Sequence, residues 1–163
     1  MPENFDLKAL YSAIDAERSR RSLTWSGVAK EIAERFAKVS PSTIKRVGDN
    51  PRVEGDGALQ ILLWLGRAPE SFIPDYHGAL VPLRPARAGK VLRWDTASIF
   101  GALDQQRDAR KLTWRAVANE IGRISPQQLK GMAKGGRTSL PEVMRVAVWL
   151  GVPASHLTRE SGR

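Results

Sequence analysis

Two short stretches of this chain carry side chains whose types and spacing could do chemistry. From Gly131 to Thr138 the sequence reads "GMAKGGRT", the glycine and hydroxyl spacing of a phosphate-cradling loop. Arg137 stands at the lysine position, however, and no apolar strand precedes the loop. From Ser42 to Lys45 it reads "STIK", in which a lysine could activate a serine nucleophile, but the companion Ser-Asp-Asn and Lys-Thr-Gly signatures are missing. No other paired acids and no further nucleophile-base combination stand out, so neither catalysis nor a cofactor is expected. Zero cysteines exclude disulfides and thiolate-bound zinc, and His77 and His156 lie too far apart in sequence to suggest a metal site.

Composition turns attention from reaction to binding. The chain has 163 residues and is 42% apolar, enough for one ordinary domain or two small ones. No apolar run approaches the ~20 residues that span a bilayer, and the opening "MPENFDLKAL" lacks the layout of a secretory signal, so no membrane association and a cytoplasmic location are expected. Lys and Arg number 26 against 17 Asp and Glu, a net charge of +9 that suits a polyanion, nucleic acid ahead of anionic membrane.

The elements that position these residues are written twice. At an offset of 89, Ala13, Asp15, Arg18, Arg21, Leu23, Thr24, Trp25, Val28, Ala29, Glu31 and Ile32 meet identical residues, from Ala102 to Ile121. The offset then becomes 85, where Ser40, Pro41, Lys45, Trp64, Leu65 and Gly66 match Ser125, Pro126, Lys130, Trp149, Leu150 and Gly151. The first copy therefore carries four extra residues between Ile32 and Ser40. Two copies are too few for a solenoid, which needs about three stacked units, and tandem domains are the better reading.

Spacing within each copy is helical. Leu7, Leu10, Tyr11 and Ile14 form one apolar stripe, as do Val143, Val146, Ala147 and Leu150. Thr24 and Thr113 are placed to cap a second helix, and Ser40-Pro41 and Ser125-Pro126 to open a short third one. A fourth is expected from about Ala58 to Leu65, with its counterpart opened by a Ser139/Glu142 capping box. No segment sustains the alternation of a half-buried strand, so the fold class is all-α, with domains at 1–73 and 95–163 joined by a basic linker at 74–94.

A short helix, a tight connection and a second short helix make up a helix-turn-helix. The second copy, "LTWRAVANEIGRISPQQLKGMAKGG…SLPEVMRVAVWLGVPASHL", resembles the lambda-repressor and Cro-like (XRE-type) helix-turn-helix domain in its Leu-Thr, Val-Ala, Ser-capped third helix and closing Leu-Gly. The likeness extends over residues 7–73 and 96–158 and implies two lambda-repressor-like domains of about five helices each. Such domains often carry Gln after Leu-Thr, where this chain has Trp25 and Trp114, side chains better suited to packing. The stretch from Ala33 to Val39 leaves room for about one added helical turn in copy 1.

The resemblance implies that exposed residues of the third helix read base edges. These are Gln127, Gln128 and Lys130 in copy 2, and Ser42, Thr43, Lys45 and Arg46 in copy 1. Glutamine suits adenine, and lysine or arginine guanine. Thr24, Thr113, Arg115, Lys134 and Arg137 are the candidates for phosphate contacts. Net charge is +1 over residues 1–73, +3 over 74–94 and +5 over 95–163, and Asp49, Glu54 and Asp56 follow the third helix of copy 1, so copy 2 is expected to be the stronger reader. Arg84, Arg87, Lys90 and Arg93 make the linker a candidate minor-groove arm. Fully extended, its 21 residues reach ~70 Å, beyond the ~34 Å between half-sites, so one chain could act as a covalent pseudo-dimer, with a homodimer as the other arrangement. The expected function is a double-stranded-DNA-binding transcriptional regulator, most simply a repressor. The alternative is an antitoxin-like or anti-activator adaptor that uses one or both copies, copy 1 first, to grip a protein.

Overall fold

A computed structural model describes residues 5–162. The chain runs through α1 (Leu7–Arg20), α2 (Trp25–Arg35), α3 (Pro41–Lys45), α4 (Gly55–Leu65), β1 (Lys90–Trp94), α5 (Thr96–Ala109), α6 (Trp114–Ile121), α7 (Pro126–Gly131), α8 (Leu140–Leu150) and β2 (Thr158–Gly162). Single turns of 3-10 helix follow α3, α4, α7 and α8, so the element order of the first half recurs in the second. No helix among the described residues is long and apolar enough to cross a membrane.

Local chemistry explains the helix boundaries. Thr24 Oγ1 accepts from Gly27 N at 3.0 Å and Thr113 Oγ1 from Ala116 N at 3.1 Å, each satisfying a first-turn amide that has no partner within the helix. Ser40 and Ser125 cap α3 and α7, with Pro41 and Pro126 in the first turn. Ser139 and Glu142 form the expected capping box on α8. Both α4 and α8 end at a left-handed glycine, Gly66 at φ +69° and Gly151 at φ +72°. The start of α4 departs from expectation by one turn: Gly55 and Gly57 look like loop residues, but the Glu54 carboxylate caps the helix by accepting from Gly57 N at 3.0 Å. The insertion in the first half lengthens α2 to 11 residues against 8 in α6.

Seven of the seventeen repeated identities form two clamps used twice. Arg18 bonds Asp15 at 2.6 Å, donates to the Leu23 carbonyl at 2.9 Å and lies 4.7 Å from the centre of the Trp25 ring. Arg107 does the same with Asp104, Leu112 and Trp114. Tyr11 stacks on Trp25, and Phe100 on Trp114. The second clamp joins Arg21, Glu31 and Trp64, and again Arg110, Glu120 and Trp149. The repeated Leu-Thr-Trp therefore locks the first helix to the second; both tryptophans are half-buried in packing roles.

The Arg110 guanidinium, with help from the Trp149 indole, holds the Glu120 carboxyl below its ordinary range. Because the folded-state value is lowered, this stabilisation is complete above the usual glutamate pKa of ~4.3 and is lost as pH falls through the lower value. Glu120→Gln is therefore expected to flatten the acid limb of a stability-against-pH curve measured by urea unfolding. An unchanged limb would refute the assignment.

The described residues are mostly helical, as expected, with one small two-stranded sheet that was not expected. β1 and β2 pair antiparallel, with Val91 opposite Ser161 and Arg93 opposite Arg159. Five residues are too few to display alternation, and the partner strand "TRESG" has almost no β-forming residues. What holds β1 is tertiary: on its other edge the Leu92 carbonyl accepts from Gln60 Nε2 at 2.8 Å and Trp94 N donates to Asp56 Oδ1 at 2.9 Å. The last five residues of the 74–94 stretch are thus strand, not connector. The two halves also touch directly. Gly55 N donates to the Thr138 carbonyl at 2.8 Å and Leu140 N to the Val53 carbonyl at 3.0 Å, and one apolar cluster runs through both halves.

Candidate nucleic-acid interface

α3 and α7 are held by one apolar side chain each, fully buried Ile44 and Leu129, followed by Val47 and Met132 in the next turn. Their other faces are open. α3 packs on α2 and the turn after it on α1, and α7 and its following turn are seated likewise on α6 and α5. The short helices are thus braced on both sides while Ser42, Lys45, Arg46, Gln127, Gln128 and Lys130 stay exposed.

The proposed base readers divide by what their polar atoms already bind. Thr43 is half-buried, with its hydroxyl 2.7 Å from Ser40 Oγ, and the Ser42 hydroxyl lies 3.2 Å from the same atom. Gln128 is engaged at both ends of its amide: Oε1 accepts from Ser125 N at 2.8 Å and Nε2 donates to Glu142 Oε1 at 3.0 Å. It anchors the start of α7 to α8. Losing one such net bond costs about 1 kcal/mol, so Gln128→Ala is expected to destabilise the fold by roughly that amount in urea unfolding. No loss would show the amide to be free. Gln127, Lys45, Arg46 and Lys130 have no side-chain partner among the described residues.

The phosphate candidates are similarly mixed. Arg115, Lys134 and Arg137 are exposed without a side-chain partner among the described residues, whereas the Thr24 and Thr113 hydroxyl oxygens are occupied as caps. In copy 1 the start of α1 and the end of α3 border one cleft of about 770 Å³ lined by Lys8, Tyr11, Ser42, Lys45, Arg46 and Asp49. Of the three acids expected to oppose a phosphate path in copy 1, two are tied up: Asp56 holds Arg93 at 3.2 Å and accepts from Trp94 N, and Glu54 caps α4. Asp49 alone stays exposed in that cleft.

The linker residues separate in the same way. Arg87 is strapped to β2, its Nε donating to Glu160 Oε2 at 2.9 Å and its backbone N to Glu160 Oε1 at 3.0 Å. Arg93 donates to Ser161 Oγ at 2.8 Å and is half-buried. Leu83 and Ala86 pack against the core, so this part of the stretch lies along the protein. Arg84 and Lys90 remain exposed. Among the described residues no group of three or more His, Cys, Asp or Glu side chains could hold a metal ion.

Comparison of the two halves gives the sharpest sorting. Of the charged residues repeated in the sequence comparison, Asp15, Arg18, Arg21 and Glu31 and their counterparts are consumed by the two clamps. Lys45 and Lys130 are exposed and unpaired at the end of the third helix of each half. No family model, curated protein or solved structure matches this chain. Sequence reasoning missed one further pair. Arg52 lies 85 residues before Arg137, the same offset that relates Lys45 to Lys130, and both arginines are exposed. Applying that offset to every residue would have found it.

Proposed function

We propose that this chain is a sequence-specific double-stranded-DNA-binding regulator of transcription, built from two helix-turn-helix units and acting as a repressor by occupying promoter DNA. The observation that carries this is the unpaired lysine kept at the same exposed position of both third helices, Lys45 and Lys130, while the repeated charges of the first and second helices, Asp15, Arg18, Arg21 and Glu31 with their counterparts, are used internally. In this reading α3 and α7 enter major grooves. Gln127 and Lys130 read bases from copy 2, and Lys45 and Arg46 from copy 1. Gln128 holds α7 in place, and Arg115 and Lys134 grip phosphates. Copy 2 is the stronger reader because Lys134 stands where copy 1 has Asp49.

The test is binding of the purified chain to fragments of its own upstream DNA at ~150 mM salt against random competitor, repeated from ~50 to ~200 mM. Sequence-selective binding that weakens steeply with salt supports the regulator. Binding equal on random DNA overturns it, and salt-indifferent capture of a protein in place of DNA would favour the adaptor.

A further inference from the structure

We infer that Arg52 and Arg137 act as a pair of prongs that read the minor groove at the centre of the bound DNA, midway between the bases contacted by α3 and α7. This rests on the DNA-binding proposal above and adds a specificity element to it.

The contact between the two halves is self-complementary. Gly55 corresponds to Leu140 and Val53 to Thr138 at the offset of 85, so the bonds Gly55 N to Thr138 O and Leu140 N to Val53 O are the same interaction made twice. Between them Glu54 bridges its own counterpart, Ser139. Such reciprocity marks a local two-fold axis through that bridge, the signature of an isologous interface inside one chain. Gly55 is required there, because a Cβ would stand 2.8 Å from the Thr138 carbonyl oxygen and 2.9 Å from Trp94 Cδ1.

Arg52 and Arg137 flank this axis two residues before Glu54 and Ser139. Both line one cleft of about 610 Å³ that Gln128 of α7 also borders, so the arginines and the exposed end of a third helix share a face. Neither guanidinium has a partner among the described residues. The carboxylates in the same cleft are already engaged: Glu54 with Gly57 N, and Glu142 with Gln128 and Thr138 at 3.0 Å each. Neither carboxylate forms an ion pair with Arg52 or Arg137, so two arginines free of salt bridges are presented together at the seam.

Duplex geometry then assigns their target. When two helices related by a two-fold axis enter major grooves about one turn apart, the axis meets the DNA half a turn from each, where the minor groove faces the protein. A·T-rich steps narrow that groove and deepen its negative potential, which draws in arginine. The centre of the site is thus selected by shape, at positions that neither third helix touches. Because α3 and α7 carry different side chains, the whole site is an imperfect inverted repeat bound by one chain.

The test uses the full chain and its R52A/R137A variant, each selecting from duplexes with about 30 randomised positions, room for two half-sites and their flanks. The parent is expected to select an imperfect inverted repeat with an A·T-rich centre, and the variant the same half-sites with an indifferent centre. On the parent's best duplex, central G·C pairs should weaken binding about five- to tenfold. Inosine·cytosine pairs, which present the minor-groove face of A·T, should restore it, and the variant should not distinguish them. A central preference retained by the variant, inosine behaving as guanine, or half-sites in direct repeat would overturn the inference while leaving DNA binding intact. If the parent selects no sequence at all, the regulator proposal fails and this inference with it. Both arginines lie outside the core, so an unchanged melting curve for the variant confirms that only the interface was altered.

Discussion

Replacing Trp94 with alanine is expected to lower the stability of the protein by about 3–5 kcal/mol, the range for emptying a buried tryptophan site. The indole is 3% exposed, on β1, and its Nε1 donates to the Gly55 carbonyl at 2.9 Å. It fills the space beside Gly55 where the two halves exchange backbone bonds, while its own backbone N is held by Asp56. Truncation therefore opens a cavity at the seam and loosens β1, α4 and the Val53–Gly55 segment together. Urea unfolding gives the measurement. The parent should show coincident fluorescence and circular dichroism transitions, because one apolar cluster runs through both halves, and the variant should separate them. Trp94→Phe keeps most of the volume and loses the donor, so a smaller cost of about 1–2 kcal/mol is expected. A loss below ~1 kcal/mol for the alanine variant would show that the seam does not depend on this side chain.

How much of this was legible in the sequence follows from the range of each interaction. Helix starts governed by a residue and its amide three positions on, as at Thr24, Ser40, Thr113, Ser125 and Ser139, could be read directly. The duplication announced a repeated architecture, and its clamps explain why Asp15, Arg18, Arg21 and Glu31 recur. Contacts over long sequence separations were not legible. β1 has no local mark strong enough to identify it, because Gln60 and Asp56 of α4 complete its edge. The bridge from Glu54 to Ser139 joins two ordinary cap positions, and nothing in either tells of the other. Among the candidate site residues, type and exposure could be anticipated for Lys45, Gln127 and Lys130. The prior engagement of Gln128 by Glu142, of Arg87 by Glu160 and of Arg93 by Asp56 could not, since each partner lies 14 or more residues away.

Loss of both repeated lysines should have the largest effect on binding. Each base contact of this kind is worth ~1–3 kcal/mol, and two independent ones together ~2–6 kcal/mol. The K45A/K130A variant is therefore expected to bind the parent's best duplex at least about 30-fold more weakly, at a tenfold change per ~1.4 kcal/mol. The single variants should be unequal. Lys130 shares its end of α7 with Lys134, so its removal leaves a cation close by, but it also removes the proposed base reader beside Gln127. Lys45 shares its cleft with Lys8 and Arg46 but also with exposed Asp49, which opposes phosphate approach and lowers what that half contributes. Lys130→Ala is thus expected to cost more than Lys45→Ala. Neither lysine has an internal partner, so thermal stability should move by no more than ~0.5 kcal/mol, and lost binding then reports the interface. Comparison of specific with random DNA separates the two roles a lysine can play: a base reader loses affinity mainly on the selected sequence, a phosphate contact about equally on both. Equal losses would move Lys45 and Lys130 to the phosphate set and leave Gln127 and Arg46 as readers, whereas unchanged binding to both would remove the observation on which the regulator proposal stands.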